Sequence, residues 1–386
     1  MLAQVTTILG GMTPANFLRT HWQKRPLLVK QALPEFRGII DERELFALAR
    51  RPDAISRLVV EHPRTKRGRW ELHEGPFEDL APSDLPADHW SLLVQGVEGL
   101  HPGGWALLQE FAFIPAARVD DLMISYAADG GSVGPHEDLY DVFLLQGPGR
   151  RRWQISTHGD HAFDPTAPIK ILKKFKAEKE YLLEPGDMLY LPPGVAHLGI
   201  AEGPGFTYSI GFVAPSHESL LQNFLAYLGQ RLEPTIDPHA MYEDPHLKQT
   251  SHPLALGHQM ISTVERLLTR IHWNRAQVEE FLGRLLTGPK PHVQFARPQP
   301  PISRSTFAQR LRGDGSLGLA LPTRGLLDAR GRHVFLNGEM HSVAAKTARL
   351  FTELLSARSM SLPLSVSAAD LPLFYDLYYA GFITLS

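Results

Sequence analysis

The chain has no cysteine among its 386 residues, which removes disulfides, thiolate metal sites and cysteine nucleophiles together. It has no uncharged apolar run of the ~18 residues that a membrane-spanning helix needs. The opening "MLAQVTTILGGMTPANFL" lacks a basic n-region, and its apolar run is too short for a secretory signal. Neither sign of charge is in excess. At a formal net charge of −2, nothing global points to a nucleic-acid or membrane-surface binder. No internal repeat or low-complexity segment occurs. The expectation left by these absences is a cytoplasmic globular protein, and 43% hydrophobic residues suffice for a large core and several domains.

What is present divides into three regions. Residues 1–215 hold short β-type runs such as "DDLMISYAA", "YDVFLLQG", "RRWQIS", "DMLYLPPG" and "FTYSIGFVAP". Turn signals separate them ("DGG", "GPG", "EPGD"), which predicts an antiparallel sandwich or barrel. One helix precedes them, "ERELFALARR", with Leu45, Phe46 and Leu48 at helical spacing. Residues 216–290 change period: Ser216 is a candidate N-cap, and Leu220, Leu221, Phe224, Leu225 and Leu228 form an apolar stripe. "HQMISTVERLLTRI" and "RAQVEEFLGRLLTG" continue the helical pattern, and the proline-rich "GPKPHVQFARPQPP" reads as a linker. Residues 291–386 then carry a hairpin in "LLDARGRHVFLNGE", a helix in "VAAKTARLFTELLSA" and the closing "DLPLFYDLYYAGFITLS". The fold class expected is mixed α+β.

Chemistry is concentrated in "GPHEDLYDVF", residues 134–143. Read as a strand, alternation points His136 and Asp138 to one face and Glu137 to the other. A third ligand is offered by His197 in "EPGDMLYLPPGVAHLG", where "PPG" is a tight turn presenting the imidazole on the next strand. Two imidazoles and a carboxylate on adjacent strands form a facial triad with open positions, as expected of a non-haem Fe(II) oxygenase. Two decoys exist, His158 with Asp160 in "THGDHAFD", and His239, Asp244 and His246 in "DPHAMYEDPHL". Neither lies on a strand that would fix ligand direction, so both read as solvated surface.

"GPGRRRWQIS" follows the first strand. With Trp153 and Ile155 inward, alternation turns Arg151 inward and Arg150 and Arg152 outward. A buried guanidinium needs an anion, either an internal acid or a ligand such as the distal carboxylate of 2-oxoglutarate.

At this point the sequence resembles the bacterial JmjC-type ribosomal oxygenases, 2-oxoglutarate-dependent enzymes that hydroxylate a residue of a ribosomal protein. The resemblance rests on "FLRTHWQKRPLLVKQA" (17–32), "WELHEGPF" (70–77), "GSVGPHEDLYDVFLLQGPGRRRWQI" (131–155) and "LEPGDMLYLPPGVAHLGIA" (183–201). It implies a double-stranded β-helix (cupin/JmjC jelly roll), a helical dimerisation domain and a C-terminal winged-helix-like domain. It also implies Fe(II) on His136, Asp138 and His197, with 2-oxoglutarate on Arg151. The implied partners are a large-subunit ribosomal protein, hydroxylated at an arginine β-carbon, and a second copy of the chain. Animal relatives act on histidine, so arginine is the less transferable part.

Further residues are candidates on this reading. Ser125 and Ser209 are placed to bond 2-oxoglutarate oxygens, Asp129 to pair a substrate guanidinium, and Tyr140 and Met123 to line the pocket. Competing readings keep the triad and differ in what it does. One is a small-molecule cupin dioxygenase or isomerase, and the other is a cupin-derived scaffold without catalysis.

Overall fold

The computed structural model describes residues 8–65, 69–159, 162–232, 237 and 239–386. Its catalytic region is built on eleven strands: β1 Leu27–Val29, β2 Ile55–Glu61, β3 Trp70–Glu74, β4 Trp90–Gln95, β5 Val119–Ala127 and β6 Asp141–Gln146. They continue with β7 Arg150–Ser156, β8 Lys179–Leu183, β9 Met188–Leu191, β10 Ala196–Glu202 and β11 Gly205–Phe212. Eight form one antiparallel sheet in the order β1-β9-β6-β11-β5-β4-β2-β3, and β10-β7-β8 form a second. The expected jelly roll is present.

Strand periodicity explains which residues face which layer. In β6, Phe143 and Leu145 join the core on the outer face, while Val142 and Leu144 join a second cluster between the sheets. β9 divides identically, Met188 and Tyr190 outward, Leu189 and Leu191 inward. Both faces of these strands are covered, so they read as continuous apolar runs rather than alternating ones. The outer core is aromatic: Phe17 meets Tyr190 at 5.0 Å, and Phe111 meets Phe143 at the same spacing. Asp141 is fully buried beside this core, and its carboxylate accepts from Tyr190 Oη at 2.5 Å and Gln23 Nε2 at 3.0 Å.

Three short helices lie on this layer: α1 Pro14–Thr20, α2 Glu42–Ala49 and α3 Pro102–Gln109. The sequence-predicted α2 is fixed by a reciprocal cap, Asp41 accepting from Glu44 N and Glu44 from Asp41 N. Beyond the barrel come α4 His217–Leu232, α5 His258–Leu268 and α6 Arg275–Thr287. Ser216 caps α4 as expected, accepting from Ser219 N at 3.0 Å. Of the stripe on α4 only Leu228 is buried, and Leu221 and Leu225 are about two-thirds exposed. The third helix behaves differently. α6 packs onto the tail, with Gly283 against the Phe335 ring, where an added Cβ would come within 2.5 Å.

The tail is mixed, as expected. The "ARGR" hairpin forms between β13 Gly325–Leu327 and β14 His333–Leu336 and gains a third strand, β15 Glu339–Ser342. β12 Ser316–Leu319 pairs with β16 Ser359–Ser361 and β17 Ile383–Leu385, while α7 Arg304–Arg310, α8 Ala345–Ala357 and α9 Leu371–Tyr379 complete its core. Among the described residues no helix is long and apolar enough to cross a membrane.

The tail is locked to the barrel by polar contacts. Trp105 Nε1 donates to Leu321 O at 2.7 Å, and the Arg358 guanidinium lies 4.2 Å over the Trp105 ring. Arg324 donates to the carbonyls of Asp120 and Val119, and Lys290 reaches the Asp120 and Asp121 carboxylates. Next to them Glu98 is buried, accepting from Leu122 N at 2.9 Å. Burial, reinforced by Asp121, pushes its carboxyl up to about 7. Because this value lies above that of the unfolded chain, Glu98 favours folding below the unfolded value and loses that contribution as pH rises through 7. Between pH 4.5 and 7 the parent should therefore lose melting temperature relative to Glu98→Gln in differential scanning calorimetry, and a constant difference between the two proteins would contradict it.

Candidate metal centre

The strand expected over "HEDLYDVF" forms only from Asp141 onward. His136 lies instead in an isolated antiparallel bridge with His197, each donating its N–H to the other's carbonyl, at 3.0 and 2.7 Å. Glu137 and Asp138 belong to no strand, and Leu139 and Tyr140 follow in a bend. The Asp138 carbonyl is held by Gly194 N at 2.8 Å, which ties this bend to the "PPG" turn before His197.

The two imidazoles are aimed by backbone. His136 Nδ1 lies 2.9 Å from Gly134 O, and His197 Nδ1 lies 2.9 Å from Val195 O. Carbonyls only accept, so each ring carries its proton on Nδ1 and leaves the Nε2 lone pair for a cation. Gly134 adopts a φ of +77°, and a Cβ there would approach Ile171 to 2.8 Å. That position therefore needs glycine. Among the described residues, His136, Asp138 and His197 are the one group of such side chains whose ligand atoms converge, all within 4.8 Å of one another. Asp138 Oδ2 is 3.7 Å from His197 Nε2. Burial, helped by the neighbouring His136, lowers His197 to about 4, so it is neutral and able to ligate at physiological pH. Two neutral imidazoles and one carboxylate fit a divalent iron-group ion with coordination positions to spare.

The triad opens on a cavity of about 510 Å³ between the sheets. Met123, Ser125, Tyr140, Arg151 and Ser209 all line it. Arg151 is buried and, among the described residues, reaches only neutral acceptors, Thr207 Oγ1 at 3.1 Å and Gly131 O at 3.4 Å. Its guanidinium lies 5.5 Å over the Trp153 ring, and burial alone pulls it down to about 10. Outward Arg152 pairs with Glu180 and Glu202, and Arg150 lies 4.0 Å from Glu202. The face assignment along β7 is thus as expected. A buried cation without an internal acid, facing a cavity, fits a small dianion such as 2-oxoglutarate.

Asp129 does not line this cavity. Its carboxylate accepts from Gly203 N at 2.7 Å, in the turn joining β10 and β11. The decoys also stay apart: His158 is bound to Glu178 at 2.9 Å, Asp160 lies outside the described residues, and His239, Asp244 and His246 join no metal-ligating group among them. Several cavity residues escaped the sequence reading, notably Arg57, Ser91, Gln95, Lys170 and Thr207. A signal for four of them existed. Leu58 and Val60, Leu92 and Val94, and Phe206 and Tyr208 belong to the outer core, so their odd-numbered neighbours in each strand face inward.

Comparison with known proteins agrees with this geometry. The family model of the JmjC domain matches residues 106–220, that of the ROXA-like winged helix 270–384, and that of the AraC-like ligand binding domain 176–272. The ribosomal protein uL16 3-hydroxylase of Escherichia coli is 34% identical over 327 residues, covering 84% of each chain. A probable ribosomal oxygenase of Haemophilus influenzae is 38% identical over 213 residues, 54% of this chain and 52% of that one. The structure of YcfD, an Escherichia coli ribosomal oxygenase in complex with cobalt and 2-oxoglutarate, superposes with a TM-score of 0.79 at 30% identity, covering 96% of this chain and 98% of the other. By sequence, by fold and by the chemistry of its metal centre, the chain belongs to the JmjC-domain ribosomal oxygenases.

Proposed function

We propose that this protein hydroxylates a residue of ribosomal protein uL16, with arginine as the target, using Fe(II) and 2-oxoglutarate. The observation that carries the reading is one cavity holding both the converged triad and a buried, acid-free Arg151. The E. coli relative named for uL16 hydroxylation, similar along most of the chain, supports the substrate.

On this reading His136, Asp138 and His197 hold the iron, and Arg151 with Ser125 and Ser209 holds the cosubstrate. When bound, these groups supply the oxidising chemistry that inserts one atom of dioxygen into a C–H bond while 2-oxoglutarate becomes succinate and carbon dioxide. The chain's own residues do the rest. The Nδ1 contacts keep both imidazoles in the ligating tautomer, and Asp138 supplies the negative charge of the ligand set. Val142, Leu144 and Trp153 make one wall apolar and exclude water beside the reacting carbon. Burial, reinforced by Asp138 beside it, raises the Tyr140 hydroxyl well above its ordinary range, so it stays protonated and donates. Met123 and Tyr140 are positioned to contact the substrate side chain. Asp129, expected to meet a guanidinium, is occupied by Gly203, while Glu137 lines the cavity.

Within the helical region expected over residues 216–290, α4 and α5 serve as a dimerisation element, while α6 joins the expected 291–386 tail in a winged-helix-like domain, in keeping with its packing on Phe335 and with the family model that begins at residue 270. Met260, Ile261, Val264, Leu267 and Leu268 on α5 are each at least 40% exposed and share one face, which a second copy would cover. A cytoplasmic setting follows from a ribosomal substrate.

Three expectations test this. Incubating isolated uL16 with enzyme, iron and 2-oxoglutarate should add about 16 mass units, one oxygen atom, to an arginine. His136→Ala should abolish that gain, and modification of a histidine or a free metabolite alone would refute the substrate. Arg151→Ala loses a charge-assisted contact of roughly 1.5–3 kcal/mol, so the KM for 2-oxoglutarate should rise about tenfold to a hundredfold. Arg152→Ala should leave it near the parent value, because that side chain faces Glu180 and Glu202. Finally, the parent chain should sediment as a dimer and V264E/L268E as a monomer. A monomeric parent at micromolar concentration would dismiss the dimer.

A further inference from the structure

Between β7 and β8 the chain leaves the barrel and returns at Glu178, whose N–H donates to Ile155 O at 2.9 Å. The excursion is seated on the metal centre. Leu172 N donates to Pro135 O at 2.8 Å, Ile171 packs on Gly134, and Pro168, Ile169 and Lys170 line the cavity. Its outward side is basic: Lys170, Lys173, Lys174 and Lys176 are all exposed within "KILKKFK", which contains no acid. Among the described residues none of these four side chains makes an ion pair or hydrogen bond within contact distance, although the Asp164 carboxylate lies within electrostatic reach of Lys173. Lys30 and Lys290, by contrast, pair with Asp187 and Asp120. An aromatic ring accompanies the lysines. Phe163, 38% exposed, is bridged to Leu172, and Lys173 N donates to Ala162 O beside it.

This rim poses a problem for the proposed substrate. Ribosomal proteins are basic because they neutralise RNA phosphate, so four unpaired ammonium groups at the entrance would repel one presented alone. They would attract a polyanion. An acidic protein could satisfy the charges but has no use for an exposed ring between them, whereas a nucleic-acid strand offers both phosphates and bases that stack. RNA is the polyanion against which a ribosomal protein lies.

We propose that the β7–β8 excursion is an RNA-binding surface, through which the enzyme engages its substrate beside ribosomal RNA. The proposal rests on the reading of the cavity as a site for a ribosomal protein. Phosphates meet Lys173, Lys174 and Lys176, and a base stacks on Phe163.

The test uses the full-length chain and a fluorescein-labelled single-stranded 20-nucleotide RNA, followed by anisotropy across a salt series. The parent should bind, and K173Q/K174Q/K176Q should bind at least tenfold more weakly. Losing three phosphate contacts should reduce the slope of log affinity against log salt by about two. F163A should weaken binding without changing that slope. Poly-L-glutamate at equal charge should fail to displace the RNA. Absence of parental binding, parental affinity in the triple variant, or displacement by polyglutamate would each overturn the proposal, the last in favour of an acidic protein. Hydroxylation of isolated uL16 separates this from the underlying function. Because it removes charge that repels a basic protein presented alone, the triple variant should modify it at or above the parental rate, and failure of both proteins to do so would reject the substrate without altering the RNA result.

Discussion

Two backbone hydrogen bonds between His136 and His197 set the geometry on which the metal centre depends. They make residues far apart in sequence into nearest neighbours, with ring centroids 4.2 Å apart. The same run of chain continues the pairing. Gly130 N donates to Ala201 O, and Ala201 N to Gly131 O, so residues 130–136 lie along β10 as an added edge of the smaller sheet. Ligand direction is consequently a property of the main chain, and side-chain rotamers have little left to decide. The third ligand is brought in by the Asp138 carbonyl accepting from Gly194, again a main-chain contact.

Around this bridge the larger sheet works on both faces. Its outer face carries the aromatic core, and the same strands send Arg57, Met123, Ser125, Thr207 and Ser209 into the cavity. Sealing the outer face lets the inner face be polar without unfolding the barrel. The buried Arg151 exploits this: desolvation disfavours its charge, and Thr207 and Gly131 only partly compensate. A bound dianion relieves that imbalance, so the cavity selects by charge before it selects by shape.

Much of this was legible in the sequence, for physical reasons that differ by residue. Arg151 was legible because strand alternation with Trp153 and Ile155 is a local rule, and β7 obeys it. His197 was legible because "PPG" forces a turn just before it. His136 and Asp138 do converge with His197, but in place of the expected strand there is a bridge at His136 and a bend after Asp138, with Gly194 and His197 holding this stretch from another part of the chain. Asp129 was read as able to pair a substrate guanidinium, but its partner, the N–H of Gly203, is distant in sequence. The same blindness to distant partners placed α6 with the helices before it, although Phe335 of the tail covers its Gly283. Arg57 and Thr207 needed only the parity of strands whose outer residues are plainly apolar.

Glu178 closes the neck of the excursion between β7 and β8. Its carboxylate accepts from Thr157 N at 3.1 Å, Thr157 Oγ1 at 2.8 Å and Ser156 Oγ at 3.2 Å, with His158 Nδ1 2.9 Å away. A loop pinned at its base transmits little of its own length to the sheet, and lengthening such a loop adds entropy cost only logarithmically. Apart from the stretch 168–172 that touches Gly134, Pro135 and the cavity, residues of the excursion can thus be inserted, deleted or recharged while the ligands on either side stay in register. Descendants of one ancestral barrel are free to diverge in what they recognise without rebuilding what they catalyse.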